Sequence, residues 1–180
     1  MTASRPHPWL SMFGTATGVV SPTGGRVVDF LSRNSCPAPA LFRRADWERV
    51  GGYAEDMREG FEDWDFFLRL LTAGGRIAIV PEALIDYRTH RASTNLESMN
   101  HRVRLYGEII DRHHSLFAEH TKDVLLRQES TSIERLARWE QLVLADPSVD
   151  PGSASFGDGG MAAIVRIANA RLLSSEIDQI

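Results

Sequence analysis

Two adjacent carboxylates, Glu62 and Asp63, stand at the start of an amphipathic segment. A carboxylate within hydrogen-bond reach of a hydroxyl can remove its proton as a general base. The free amides and the dipole of a helix N-terminus favour such a charge. Successive helical residues are rotated by about 100°, so Asp63 edges the buried face and Glu62 points elsewhere. The pair predicts Asp63 as a base, with Glu62 binding a second hydroxyl or bracing the loop.

Acidic residues are also common in a first helical turn simply because they stabilise the helix. Taken alone, Glu62 and Asp63 fit this ordinary explanation. The surrounding elements therefore have to decide between a helix-stabilising role and a catalytic one.

The helix that carries the pair is predicted over residues 62–73 and ends at Gly74 and Gly75. Asp65 and Arg69 stand four residues apart and are predicted to pair on the exposed flank, which is worth about 0.3–0.5 kcal/mol. One apolar stripe follows the i, i+3, i+4, i+7 spacing of a buried helix face: Trp64, Phe67, Leu68 and Leu71.

Short strands are predicted on both sides of this helix, and a second helix is predicted over residues 43–50. The alternation of helices and strands is typical of an α/β domain. Residues 1–11 are expected to be poorly ordered, and residues 34–39 are expected to form a loop because two prolines remove amide donors. The predicted strands are residues 18–20, 26–28, 40–42, 77–80 (ending at Pro81) and 83–88.

From residue 99 the sequence becomes helical. A possible capping box at Thr131 and Glu134 predicts a helix that ends before Asp146. His113 and His114 are predicted to be solvated, since adjacent helical residues point to different faces. The predicted domains are residues 1–98, a helical extension over 99–147, and a linker with a short helix, residues 162–173, over 148–180. One stripe is expected to pack in the core: Val103, Tyr106, Ile110 and Phe117.

Composition excludes several classes of protein. The chain has 180 residues, a net charge of -4 and one cysteine. This balance gives no sign of a nucleic-acid partner, and a single cysteine excludes an internal disulfide and a cysteine-rich zinc site. No apolar run approaches the roughly 20 residues of a membrane span. A cytoplasmic location is expected, with peripheral association at a membrane left open. The hydrolase signature G-x-S-x-G and the zinc-peptidase signature H-E-x-x-H are absent.

Several short motifs resemble, in their order and spacing, the acceptor-side (C-terminal) half of the catalytic domain of inverting family-2 glycosyltransferases. The resemblance spans residues 34–95. It implies an α/β fold, namely a partial GT-A type domain (nucleotide-diphospho-sugar transferase-like), followed by a helical C-terminal tail. The motifs are GGY at residues 51–53, GFEDWDFFLR at 60–69, GG at 74–75, VPE at 80–82 and YRTH at 87–90.

The resemblance also implies roles for individual residues. Asp63 would be the catalytic base and Glu62 its partner in binding the acceptor. The donor diphosphate would be bound by Arg88, His90 and Arg69, with His90 also a metal ligand. A surface histidine in a turn is the alternative for His90, and an ordinary proline-rich loop is the alternative for residues 34–36. The predicted acceptor or sugar pocket is lined by Asn34, Ser35, Cys36 and Trp64.

The nucleotide-binding half of such enzymes, with its Asp-x-Asp motif after an apolar strand, is not found before residue 34. Asp63-Trp64-Asp65 spells the motif but opens a helix after a loop. A divalent metal, Mn²⁺ or Mg²⁺, is therefore expected to be supplied mainly by the missing half. The chain is expected to be a fragment, to act with a partner chain or as a homo-oligomer, or to be a degenerate relative.

The predicted function is inverting transfer of a sugar from a nucleotide-sugar donor to a hydroxyl acceptor, which could be a glycan, a lipid or a protein. The alternative is a non-catalytic sugar-binding or protein-interaction module derived from such an enzyme. A further alternative is a helical partner-binding protein that acts through residues 99–144. Substitution of Asp63 by Asn separates the first two, because only the enzyme needs an ionised base.

Overall fold

A computed structural model describes residues 7–89, 98–152 and 160–177. The described chain is mixed α/β, with a small three-stranded sheet and helices, and it divides into two compact units, Met1–Val124 and Leu125–Ile180. In chain order the elements are β1 (His7–Gly14), β2 (Gly18–Val20), α1 (Val27–Leu31), α2 (Arg44–Arg49), α3 (Glu62–Thr72), β3 (Ile79–Thr89), α4 (Arg102–Arg112), α5 (His114–Glu119), α6 (Thr121–Ala145) and α7 (Gly160–Ile177).

The sheet has the order β2-β1-β3, with β1 at its centre. β1 is antiparallel to β2 and parallel to β3. The expectation that residues 1–11 are poorly ordered is wrong for residues 7–11, which lie in β1. β3 pairs with β1 along its whole length and β2 pairs with it at Leu10–Met12, and composition alone could not reveal these backbone partners.

β3 is one strand of eleven residues rather than the two strands predicted on either side of Pro81. The register against β1 shifts at this point, since Pro8 lies opposite Val80 and Trp9 lies opposite Ala83. Pro81 falls in the resulting irregularity, where a residue without an amide proton does not break the ladder.

Two other predicted strands are wrong. Residues 27–31 form α1, in which the adjacent side chains of Phe30 and Leu31 are both buried in the core. A strand would place these two side chains on opposite faces. The Asp29 carboxylate supports α1 by accepting the Arg26 N–H at 2.8 Å. Residues 40–42 have no regular structure, and Phe42 packs edge-on against Phe66. The strand over 18–20, the helix near 43–50 and the loop at 34–39 are confirmed.

α3 confirms the predicted helix and is the most buried element of the first unit. The Gly74 N–H donates to the Leu71 carbonyl at 3.0 Å and ends the helix, as the sequence predicts. Phe66 and Leu70 are buried in addition to the predicted stripe, so α3 is covered on more than one face. The four stripe residues Trp64, Phe67, Leu68 and Leu71 all lie in the core.

α4 and α5 pack on the same core through Leu105, Ile109 and Phe117. The predicted stripe is wrong at Val103, which is 89% exposed. Tyr106 and Ile110 are only partly buried and lie against the core cluster. In α4, Leu105 and Ile109 face the core that contains the buried side chains of α3. Which face of a helix is buried depends on the element that packs against it.

The second unit is built from the α6 residues after Val124 and from α7. Val143, Ala163 and Ile167 are buried in it, and Arg166 pairs with Glu140. The predicted capping box at Thr131 is wrong, because α6 runs without a break through that residue; its predicted end before Asp146 is confirmed. α7 is longer than predicted. No described helix is long and apolar enough to cross a membrane.

Candidate functional site

A cleft of about 740 Å³ opens in the first unit beside the N-terminus of α3. Its walls come from β1, β2, the loop after α1, the end of β3 and the start of α4. The structure brings six of the predicted site residues together in this cleft: Asn34, Ser35, Cys36, Glu62, Asp63 and Trp64.

The Asp63 carboxylate is held by two donors. The Trp64 backbone N–H donates to Oδ1 at 2.7 Å, and the Asn34 side-chain amide donates to Oδ2 at 3.0 Å. The Cys36 N–H in turn donates to the Asn34 Oδ1 at 3.3 Å, which fixes the orientation of that amide. Each carboxylate oxygen accepts more than one hydrogen bond, so Asp63 can still receive a proton from a ligand.

Burial raises the pKa of Asp63 from 3.8 to about 6, and the neighbouring Glu62 charge adds to this rise. The hydrogen bonds from Trp64 and Asn34 act in the opposite direction because they favour the ionised form. A carboxylate with a pKa near 6 is ionised at neutral pH and is a stronger base than a solvated aspartate. These are the properties that a general base needs.

The backbone that delivers the carboxylate pair into the cleft is strained. Phe61 has a φ of 66°, the only positive φ among the described residues other than glycine. Such a conformation costs on the order of 1–3 kcal/mol. Gly60 before it has a φ of 124°, and a Cβ there would lie 2.3 Å from the Ser98 hydroxyl oxygen. A tight turn therefore precedes α3 and points the carboxylates of Glu62 and Asp63 towards the cleft.

The loop after α1 contributes a wall whose polar groups are mostly occupied. The Ser35 hydroxyl donates to the Asp29 carbonyl at 2.8 Å. Cys36 is buried, and its burial, followed by the charge of Asp63, raises the pKa of its thiol to about 12. The thiol stays protonated, so Cys36 contributes shape to the cleft and not a nucleophile.

Trp64 forms the rigid floor of the cleft. Its ring is fully buried, its Nε1–H donates to the Phe30 carbonyl at 2.6 Å, and it stacks on Tyr106 with ring centroids 5.3 Å apart. The Tyr106 hydroxyl donates to the Leu31 carbonyl at 2.8 Å. These contacts fix the residue that directly follows Asp63.

The predicted pair of Asp65 and Arg69 exists, but its predicted exposed position is wrong. The Asp65 side chain is 2% exposed and accepts Arg69 Nε at 2.9 Å and His113 Nε2 at 2.9 Å. His113 was expected to be solvated and is instead a nearly buried member of this cluster, whereas His114 is exposed. Burial of α3 on more than one face explains both corrections.

Burial raises the pKa of Asp65, but the hydrogen bonds and charges of His113 and Arg69 outweigh it, so the net pKa lies below 3.8. Arg69 also donates to the Val50 carbonyl at the end of α2. Asp65 therefore links α3 to two neighbouring elements and is firmly ionised.

Of the three residues predicted to bind the donor diphosphate, two are among the described residues, and neither of these lines the cleft. Arg69 is engaged by Asp65 and Val50. Arg88 is exposed on β3, where side chains alternate between faces, and the cleft is lined by its neighbour Tyr87. His90 lies outside the described residues. Their donor-binding roles stay predictions.

Two arginines of the cleft, Arg33 and Arg102, were missed by the sequence reasoning. The family resemblance assigns no role to either residue. Arg102 reaches the cleft only because α4 packs against α3, which a sequence pattern does not show.

The described residues do not fit a divalent metal site. Across 7–89, 98–152 and 160–177, no three His, Cys, Asp or Glu side chains converge. The carboxylates that line the cleft are those of Glu62 and Asp63. The expectation that a metal is held mainly by another part of the protein stays a prediction.

In a comparison with known protein families, residues 19–122 match the family described as glycosyltransferase-like family 2. The match covers more than half of the 180 residues and includes nearly the whole cleft, from Val20 to Arg102. No curated protein matches the chain. No solved structure matches it either.

Proposed function

The chain belongs to the glycosyltransferase-like family 2, and from this membership and the geometry of the cleft we propose that it takes part in inverting sugar transfer to a hydroxyl acceptor. Its small sheet, helices and helical tail fit a partial GT-A-like fold. The donor would be a nucleotide-activated sugar, and the acceptor a glycan, a lipid or a protein.

The observation that carries this proposal is the state of Asp63. Its carboxylate lies in the cleft, is oriented by Trp64 and Asn34, and has a pKa of about 6. In the proposed step the acceptor oxygen attacks the anomeric carbon while Asp63 takes its proton. The bond from that carbon to the leaving diphosphate breaks, and the configuration inverts. Glu62, on the adjacent helical position, would bind a second acceptor hydroxyl.

The cleft is proposed to be the acceptor side of the complete site. Its described lining contains the carboxylate pair but no metal-binding cluster. We therefore place any Mn²⁺ or Mg²⁺, and most of the nucleotide-binding surface, on residues outside the described ranges or on a partner chain. Arg88 and His90 remain the proposed donor contacts within this sequence.

The test is sugar transfer by the purified chain, alone and with candidate partner chains, supplied with uridine, guanosine or thymidine diphosphate sugars in the presence of Mn²⁺. Asp63→Asn is expected to reduce transfer by roughly 10²–10⁴-fold, the usual contribution of a general base. Asp46→Asn is the matched control, because Asp46 also lies in a first helical turn but pairs with Arg49 outside this cleft.

A wild-type rate that Asp63→Asn leaves intact would contradict the assignment of the base. Ligand binding that persists in both proteins without any transfer would instead favour the alternative, a sugar-binding module that does not need an ionised carboxylate.

A further inference from the structure

The three arginines of α4 are in different environments. Arg104 pairs with Glu59 and Glu108, and Arg112 pairs with Asp56. Arg102 has no carboxylate within ion-pair distance among the described residues. Its guanidinium lies instead over two aromatic rings, 5.8 Å from the Phe61 centroid and 5.7 Å from the Trp64 centroid.

This position leaves the donors of Arg102 available. A guanidinium has five N–H donors, and stacking on a ring face occupies none of them. The one polar contact described for the Arg102 side chain is to the Met99 sulfur at 4.0 Å, a weak acceptor. Arg102 is partly exposed and lines the cleft. The structure thus holds a cation in the cleft with its hydrogen-bonding capacity mostly unused.

The aromatic platform ties Arg102 to the proposed base. Phe61 and Trp64 flank Glu62 and Asp63 in the sequence, and the Trp64 ring is fixed by Phe30 and Tyr106. An anion bound by Arg102 would therefore lie in the same cleft as Asp63, beside the two aromatic residues that flank the carboxylate pair in the sequence. Arg33, exposed on the loop after α1, adds a second positive charge to the same cleft.

Two carboxylates, Glu62 and Asp63, also line the cleft, so the binding of an anion depends on Arg102 and Arg33 to balance their charge. Apolar side chains such as Leu10, Met12 and Pro37 line much of the cleft, and hydrogen bonds to an anion are stronger where water is partly excluded. The planar fork of arginine matches the two oxygens of a carboxylate or phosphate.

We propose that Arg102, assisted by Arg33, binds a carboxylate or phosphate group on the acceptor, so that the preferred acceptor is acidic. This inference rests on the proposed function, because it assigns the acceptor side of the same site. Arg102 lies outside residues 34–95, over which the sequence resemblance runs.

The experiment compares two probes that differ in one group, methyl glucuronide and methyl glucoside, by titration of the full chain with NMR detection. A charge-assisted hydrogen bond contributes about 1.5–3 kcal/mol, so the wild type is expected to bind the glucuronide roughly 10- to 100-fold more tightly. Arg102→Gln should abolish this preference. Arg104→Gln, on the same helix and paired outside the cleft, should preserve it.

Equal binding of both probes to the wild type, or a preference that survives Arg102→Gln, overturns the proposal. A titration with uridine diphosphate tests the other source of phosphate. If Arg102→Gln weakens the nucleotide and leaves the glucuronide preference unchanged, the anion belongs to the donor and the acidic-acceptor assignment is wrong.

The same proteins separate this inference from the proposed function. Asp63→Asn should keep the glucuronide preference while it loses transfer. A preference without transfer by the wild type on any donor, even with the candidate partner chains, would contradict the proposed function alone. Transfer without a preference would contradict the acidic acceptor alone.

Discussion

Asp63 and Asp65 lie two residues apart in the first turn of α3, yet they have opposite environments. Asp63 faces the cleft, and burial raises its pKa to about 6. Asp65 faces away from it into a cluster with Arg69 and His113, which brings its pKa below 3.8 despite burial. One turn of helix thus carries a carboxylate suited to accept a proton and another that holds neighbouring elements in place.

The largest effect on folding is expected from Asp65→Ala. Removal of one partner from a buried ionic cluster typically costs about 3–5 kcal/mol, and Arg69 and His113 would lose the carboxylate that accepts their N–H groups. Chemical unfolding followed by circular dichroism measures this loss. Since the pKa of Asp65 is lowered, its contribution is present above pH 3.8 and is lost as the pH falls through the folded-state value.

The control for this prediction is His113→Gln, whose amide can still donate to Asp65. It should retain a large part of the stability. If Asp65→Ala unfolds at the wild-type denaturant concentration, the cluster is not the structural link between α3 and α5 that its geometry indicates.

The opposite sign is expected for Asp63→Asn. A carboxylate whose folded-state pKa is raised destabilises the protein above that value, since the unfolded chain ionises more easily. The shift from 3.8 to about 6 corresponds to an upper limit of about 3 kcal/mol at roughly 1.4 kcal/mol per unit. The variant should therefore be more stable than the wild type at pH 7.5, and the difference should shrink towards pH 4.

Unfolding free energies of both proteins at several pH values measure this difference. A variant that is less stable than the wild type at pH 7.5 would show that the hydrogen bonds from Trp64 and Asn34 outweigh the burial of the charge. In the active complex, the same pKa of Asp63 predicts that the rate of sugar transfer rises as the pH increases through about 6.

A smaller effect is expected from Asn34→Ala. The Asn34 amide donates to the ionised Asp63 at 3.0 Å and lowers the pKa of its carboxyl group. Loss of a hydrogen bond worth about 0.5–1.5 kcal/mol should raise the pKa by roughly half a unit to one unit. The pH at which the transfer rate rises should therefore increase by that amount. Ser35→Ala should leave this pH unchanged, because the Ser35 hydroxyl donates to the Asp29 carbonyl and not to Asp63.

The helix that carries Asp63 and Asp65 could be predicted from the sequence. The helix over Glu62–Thr72, its buried stripe and its glycine stop follow from residue spacing and cap chemistry, which act within a few residues. The family resemblance implied that residues 34–36 line the pocket, with an ordinary proline-rich loop as the alternative.

The parts that could not be predicted depend on contacts between distant segments. The sequence places Asp65 and Arg69 at a spacing common on exposed helix faces, and only the position of His113, 48 residues later, reveals that the pair is buried. The central strand β1 and the approach of Arg102 to Trp64 are long-range in the same sense. The spacing of residues within one element carries no information about them.

The smallest predicted effect isolates burial as the cause of the difference between Asp65 and an ordinary surface acid. Arg44 and Glu48 also form an ion pair at a spacing of four residues, but both side chains are largely exposed. Glu48→Gln should change the free energy of unfolding by only about 0.3–0.5 kcal/mol, and high salt should remove that change because exposed charges are screened. The loss in Asp65→Ala should persist in salt. If the two variants lose similar stability and respond alike to salt, the spacing of the charges, and not the burial of α3, explains the strength of the Asp65 cluster.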